Sequence, residues 1–223
     1  MAYSFTVANS QFLTTSSSPV SSMPLTMALW FRTPNATLST ARVLCELRAP
    51  TTYYVYRLAI AANATPIRAT AIGSANSANP NSAAVATAGI SANTWSHAVG
   101  VFASSTSRTV YFNGGNSATD TVSITPLNVS QICIGGGTNT IVAGPPDGFF
   151  FDGQIAEVGL WNAALTVAEV LSLSRGMSCN LVRPQSLMFH APLIRDLVDV
   201  RGGRSITNNG SATVSAHPRV YAA

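Results

Sequence analysis

This sequence predicts an all-β chain folded as a two-sheet antiparallel sandwich. Three observations predict it. Apolar residues alternate with a period of two in several short segments, Ser/Asn/Gly/Pro-rich stretches separate those segments, and one segment alone carries helical spacing. Successive strand side chains point to opposite faces, so this alternation fits strands with one face buried. The chain has 223 residues, a length that one all-β domain accommodates. Such a chain buries roughly 70% of its unfolded surface, so no disulfide staple is needed.

In 27–32, Met27, Leu29 and Phe31 share a face. In 95–102, Trp95, His97, Val99 and Val101 lie on one side and mostly small residues on the other. Thr109-Val110-Tyr111-Phe112 is rich in strand formers and ends at Asn113-Gly114-Gly115, residues that tolerate positive φ. Strands are also expected at 43–48, 53–60, 66–72, 130–134, 154–161, 186–190 and 212–215. Residues 73–93 and 135–148 read as exposed loops. The expected helix spans 167–174. Thr166 and Glu169 have capping-box spacing, Leu165 and Val170 have staple spacing, and Gly176 supplies a stop. Val167, Val170 and Leu171 give it an apolar stripe, so it is expected to plug one end of the sandwich.

Composition narrows the function classes. Charged residues make up 9%, against about 25% in ordinary soluble domains. All 12 cationic side chains are Arg, scattered from Arg32 to Arg219 without a basic run, which argues against nucleic acid. Arg also suits interfaces, because it bonds carboxylates bidentately. No apolar run is long enough for a membrane span. The Met1-Ala2-Tyr3-Ser4-Phe5 start lacks the basic and apolar regions of a signal peptide, so synthesis and folding in a cytoplasm are expected. The sequons at Asn35, Asn63, Asn128 and Asn209 then read as polar turns. Cys45, Cys133 and Cys179 fit no metal spacing and are expected to be buried thiols.

Several motifs resemble a known family. The run Phe151-Asp152-Gly153-Gln154-Ile155-Ala156-Glu157-Val158, followed by Ala164-Leu165-Thr166 and Glu169-Val170, resembles the end of laminin-G-like domains. Trp95-Ser96-His97-Ala98-Val99, Val110-Tyr111-Phe112-Asn113-Gly114, Ile132-Cys133-Ile134-Gly135 and Thr26-Met27-Ala28-Leu29-Trp30-Phe31 resemble its other strands, in order. The resemblance covers about residues 3–175 and implies a concanavalin-like jelly roll. Residues 1–180 would form the sandwich. In 181–223, Leu187 to Asp199 and Asn209 to Thr213 look like the family's opening strands, placed last. That tail would complete the sandwich in its own chain or add strands to a neighbouring one.

The residues argue against catalysis. Glycosidases need two converging carboxyls, and none of the 8 acids here lies two or four residues from another on an expected strand. Glu169 is a capping residue, and Glu157 occupies a position that the resemblance implies is generally acidic. His97, His190 and His217 show no Ser/His/Asp or zinc arrangement. No metal or cofactor is expected. Calcium, which such domains often bind at the rim, has Asp147 and Asp152 as its candidates, although each precedes Gly and reads equally as a turn former. An exposed aromatic platform for glycan or protein contact is expected from Tyr53, Tyr54, Tyr56 and Phe149, the last in a run of three Phe read as strand.

The expectation is a non-enzymatic structural protein of a virion, decorating or cementing the capsid or sitting on the tail of a tailed bacteriophage. Its partners would be capsid or tail proteins and copies of itself, a trimer being one form, with Arg183, Arg219 and Tyr221 as assembly contacts. A host-glycan-binding module is the alternative, and a hydrolase the third reading.

Overall fold

A computed structural model describes residues 1–35, 37–61, 69–74, 82–137 and 146–221, with 69–74 described by backbone alone. The strands are β1 (Ala2–Phe5), β2 (Phe12–Thr15), β3 (Leu25–Arg32), β4 (Arg42–Arg48), β5 (Val55–Ile60), β6 (Ala69–Ser74), β7 (Ser82–Val85), β8 (Ser96–Ser104), β9 (Ser107–Phe112) and β10 (Gly115–Asp120). They continue with β11 (Gln131–Ile134), β12 (Gly153–Trp161), β13 (Leu187–Ala191), β14 (Thr207–Asn209) and β15 (Thr213–Ser215), and helix α1 spans Val167–Ser174.

These strands form two antiparallel sheets. The larger has 8 strands in the order β10-β9-β8-β3-β12-β1-β15, with β13 also pairing β12; the smaller has 7, in the order β14-β2-β11-β4-β5-β6-β7. This is the two-sheet sandwich with one short helix that the alternation implied. After Leu181 the chain folds back on its own body: β13 pairs with β12, β14 with β2 and β15 with β1.

Between the sheets lie Met27, Leu29 and Phe31 of β3, Leu44, Cys45 and Leu47 of β4, and Tyr56, Leu58 and Ile60 of β5, all buried. A second cluster lies on the larger sheet's outer face, where Ala28, Val99, Val101 and Trp161 pack against Val170 and Leu173 of α1. The helix therefore covers a sheet face and does not plug an end of the sandwich. The same packing corrects the reading of β8. Val99 and Val101 face the helix, while Ala98 and Phe102 of the small-residue side face the opposite sheet. A strand covered on both faces loses clear alternation, so period two could not say which face looked inward.

The helix is placed by polar contacts as well. Thr26 Oγ1 accepts from the Leu165 backbone N–H at 3.0 Å and donates to the Ala163 carbonyl at 2.7 Å. Trp161 Nε1–H donates to the Val182 carbonyl at 2.8 Å. The capping box of Thr166 and Glu169 is present. Burying Val170 and Leu173 stabilises by about 1.5–3 kcal/mol each.

The strands β1, β2, β7, β10 and β14 were not anticipated. Ser82–Val85 falls within the stretch read as loop, because Ser-Ala-Ala-Val carries no large apolar residue to mark it. Ser82 hydrogen-bonds Asp120 of β10, and Arg108 of β9 donates to Ser82 at 2.8 Å and to Asp120 at 3.0 Å. This polar clamp ties the two sheets together at one edge. Of the expected strand 66–72, residues 66–68 lie outside the described residues, as do Asn63 and 138–145. The three cysteines are free and buried.

Candidate functional site

The outer face of the smaller sheet carries a row of polar and aromatic side chains. Strand register dictates which residues share it. Thr207 pairs with Thr14, Thr14 with Cys133, Cys133 with Glu46 and Glu46 with Arg57. Cross-strand partners project to the same side, so these residues form one row across five adjacent strands. Their neighbours along the strands, Leu13, Ile132, Ile134, Leu47 and Leu58, point into the core. Beside the row, Gln131 pairs with Arg48, and Asn209 with Phe12.

At the floor, Arg57 is bound to Glu46: Nη2 lies 2.5 Å and Nε 2.6 Å from Oε2, with both side chains buried. The guanidinium lies between two rings, 5.1 Å from the Phe149 centroid and 5.9 Å from that of Tyr53. Burial works against its charge, but Glu46 and Tyr53 outweigh burial and raise its pKa. The neighbouring Arg48 is 1% exposed, and its Nε and Nη1 have no hydrogen-bond partner among the described residues. Burial pushes the Cys133 thiol up to about 12, which leaves it a neutral, unreactive side chain.

Toward the β14 edge the face opens into a groove of about 430 Å³. Phe12, Thr14, Gln131, Thr207 and Asn209 line it. Phe12 stacks on Phe150 at a centroid distance of 5.9 Å. Two glycines of the Gly135-Gly136-Gly137 run lie against this sheet. A Cβ on Gly136 would come within 2.9 Å of Phe12 Cβ, and one on Gly137 within 2.5 Å of Val43 Cγ2 and 3.0 Å of Glu46 Oε2. Only glycine lets this segment lie so close to the sheet.

Glu46 is the only acid in any strand of the smaller sheet, and it is held in an ion pair. Acid–base hydrolysis of a glycoside uses two carboxyls about 5–9.5 Å apart, and these strands offer one.

The expected aromatic platform is redistributed. Tyr53 and Phe149 come together around Arg57, both half-buried. Tyr54 packs partly against the main core. Tyr56 is not a platform residue: it is 1% exposed, edge-on to Phe102, because its position on β5 points inward. The Phe run is not a strand. Phe149 has φ 52°, and Phe151 is fully buried between Phe5 and Phe31. Asp147 is exposed, while Asp152 accepts from Asn35 Nδ2 at 3.2 Å. Among the described residues, no third His, Cys or carboxylate joins these two in a metal-sized group.

Of the expected assembly contacts, Arg183 is committed within the chain. Its Nε and Nη2 each lie 2.7 Å from Glu169 carboxylate oxygens, and Nη1 donates to the Ala164 carbonyl at 3.1 Å. Arg219 and Tyr221 are exposed. Phe12, Gln131, Arg48 and the Glu46–Arg57 pair were not anticipated as site residues. The one available signal was the charged residues set alternately into the apolar strand 42–48 and its neighbour at 57, where ionised groups are costly unless paired.

A profile of the concanavalin A-like lectin/glucanases superfamily, of the laminin-G type, matches residues 7–171. The chain belongs to this superfamily. Compared by sequence with curated proteins, this superfamily member matches none. Among solved structures, it is similar to a native heptameric SAP-like pentraxin from Limulus polyphemus, with a TM-score of 0.64 and 14% identity over 97% of this chain and 94% of that one. It is also similar to the CBM40 module of the Ruminococcus gnavus IT-sialidase bound to α2,3-sialyllactose, with a TM-score of 0.55 and 13% identity over 70% and 83% of the chains. A third is domain 4 of an extracellular arabinanase from Geobacillus stearothermophilus in complex with arabinotriose, with a TM-score of 0.50 and 18% identity over 70% and 68%. At these identities the likeness is one of fold.

Proposed function

We propose that this chain is a non-enzymatic carbohydrate-binding domain that holds a saccharide across the outer face of the smaller sheet. The groove carries this reading. It sets the Phe12 ring beside the amides of Gln131 and Asn209 and the hydroxyls of Thr14 and Thr207. Sugar recognition needs an apolar surface for the C–H face of the ring and amides that both donate to and accept from hydroxyls. Two of the fold neighbours hold oligosaccharides, which supports the class of ligand.

A glycan array followed by calorimetry tests it. The wild type is expected to bind a defined oligosaccharide. Phe12→Ala and Gln131→Ala are each expected to weaken that binding about tenfold, the loss of one good contact at about 1.4 kcal/mol. Gln131→Ala removes no core group and serves as the variant whose folding is not in question. Absence of binding to any glycan, or unchanged binding by both variants, rejects the reading.

A second reading is a structural component of a virus particle, decorating its capsid or tail as an oligomer. A different surface supports its oligomeric part. Val167, Met177, Leu181 and Tyr221 are 59%, 40%, 39% and 67% exposed, around α1 and the chain's last strand-like contact. Met177 bridges to Tyr221, and Met177 and Leu181 share one shallow cleft. Exposed apolar side chains gathered in this way mark contact surfaces. In this reading the patch seats against a second copy of the chain. Sedimentation is expected to show an oligomer that Leu181→Glu dissociates without changing glycan affinity. A monomeric wild type removes this reading and leaves the first untouched.

A further inference from the structure

The outer face of the larger sheet carries a cluster that neither reading uses. Strand β12 bulges between Ala156 and Gly159 where it pairs with β3, and Glu157 sits in the bulge at φ 52°. That left-handed conformation is uncommon for a residue with a Cβ, and bulges re-aim side chains. Here the Glu157 carboxylate is aimed between two imidazoles. His190 Nε2 of β13 lies 3.0 Å from Oε2, and His217 Nε2 of the tail lies 3.4 Å from Oε1. Cys179 completes the group: its Sγ, a Glu157 carboxylate oxygen and an imidazole nitrogen of His190 all lie within 4.8 Å of one another, and all three residues are buried.

We infer that Glu157, Cys179, His190 and His217 form a binding site for a divalent first-row transition metal ion, with zinc the best fit. The donors are one sulfur, two imidazole nitrogens and one carboxylate oxygen, a four-ligand set of the kind structural zinc uses. Tetrahedral bonds of about 2.0–2.3 Å put ligand atoms roughly 3.3–3.8 Å apart. The Glu157–His190 distance is already close to this and the Cys179 sulfur lies within 4.8 Å of both, so these three are the pre-formed part of the site, while His217, now against the other Glu157 oxygen, swings in from the tail as the fourth ligand.

Charge and the outer contact of His217 agree with the assignment. A thiolate and a carboxylate cancel the two positive charges of the ion, so the loaded site is neutral, as a buried site must be. The other neighbour of His217 Nε2 is also an acceptor, the Pro192 carbonyl at 3.3 Å. This nitrogen therefore faces two oxygens, the Glu157 carboxylate and the Pro192 carbonyl. His217 Nδ1 lies 2.7 Å from the Pro218 carbonyl, the outer hydrogen bond that holds a metal-binding imidazole with Nε2 turned inward. Asp199, fully buried, accepts from the His190 backbone N–H at 2.9 Å and fixes β13 beneath the site.

On binding, the Sγ–H bond of Cys179 breaks as the Sγ–metal bond forms, and the proton leaves to solvent. Protons shared between the imidazoles and Glu157 leave likewise as the nitrogen lone pairs turn to the ion. No oxidant or reductant is involved. The ion would staple β12, the 179–181 turn, β13 and the tail together.

Untagged full-length protein tests this by elemental analysis after dialysis, and by titration with cobalt(II) as a spectroscopic stand-in. About one zinc per chain is expected, with a melting temperature that rises with zinc and falls with EDTA. Bound cobalt is expected to show a thiolate charge-transfer band that Cys179→Ser removes. His217→Gln lies on the half-exposed tail, so it keeps the test decisive if Cys179→Ser does not fold. It is expected to weaken metal binding at least about tenfold. Less than a tenth of an equivalent of metal on the wild type, or metal binding unchanged in His217→Gln, overturns the assignment. Neither outcome bears on glycan binding.

Discussion

Arg57→Ala is expected to destabilise the fold by about 3–5 kcal/mol, the cost of leaving a buried carboxylate without its partner. Glu46 is 0% exposed, on a strand whose other face lies in the main core. Its carboxylate cannot move to water without unpairing β4 from β5 or β11. The loss of packing adds to this, because the guanidinium fills the space between Tyr53 and Phe149. Glu46→Ala is expected to cost a similar amount. The double variant Glu46→Leu/Arg57→Leu is expected to recover most of the loss, since neither member of the pair is then left buried without the other. Urea unfolding of the four proteins checks this. Additive losses in the double variant would mean that the two side chains act through packing rather than as a pair.

The second large effect is a pH dependence carried by His97. Burial lowers its pKa from 6.5 to about 3. Its ring lies 5.0 Å from that of Trp30, and Nδ1 has no hydrogen-bond partner among the described residues. Above the unfolded pKa of 6.5 the side chain is neutral in both states and contributes no pH dependence. As pH falls below 6.5, the unfolded chain takes up a proton that the folded chain refuses. Stability is then lost by up to about 1.4 kcal/mol per pH unit until the folded pKa near 3 is reached. His97→Phe is expected to flatten the stability–pH curve between pH 6.5 and about 5, above the range where carboxylates titrate. A variant with the same slope as the wild type would show that other groups set the acid limb.

Much of the frame was legible because it rests on local rules. Met27, Leu29 and Phe31 face the core as their alternation says, and the Thr166/Glu169 pair starts α1 where its spacing placed it. The errors have one physical source: a strand sequence states which residues alternate, not which layer covers each face. Val99 and Val101 met the helix instead of the second sheet, and Tyr56 turned inward although it sits two residues from the half-buried Tyr54. The site itself is non-local. Thr207, Thr14, Cys133, Glu46 and Arg57 come from five strands, and only register lines them up. Phe12 and Gln131 carry no motif and lie on strands of four residues each, too short to reveal a period. In the sequence, therefore, the Tyr and Phe clusters are conspicuous and the ring that lines the groove is not.

The central claim, that a saccharide lies on the outer face of the smaller sheet, is tested most directly by titrating the isotope-labelled protein with the best ligand of a glycan array and following backbone amide shifts. Dose-dependent shifts are expected at β2, β11 and β14, centred on Phe12, Gln131 and Asn209, with α1 and the larger sheet unmoved. Shifts confined to the rim around Arg32 and Asp152, or to the patch around Leu181, would contradict it.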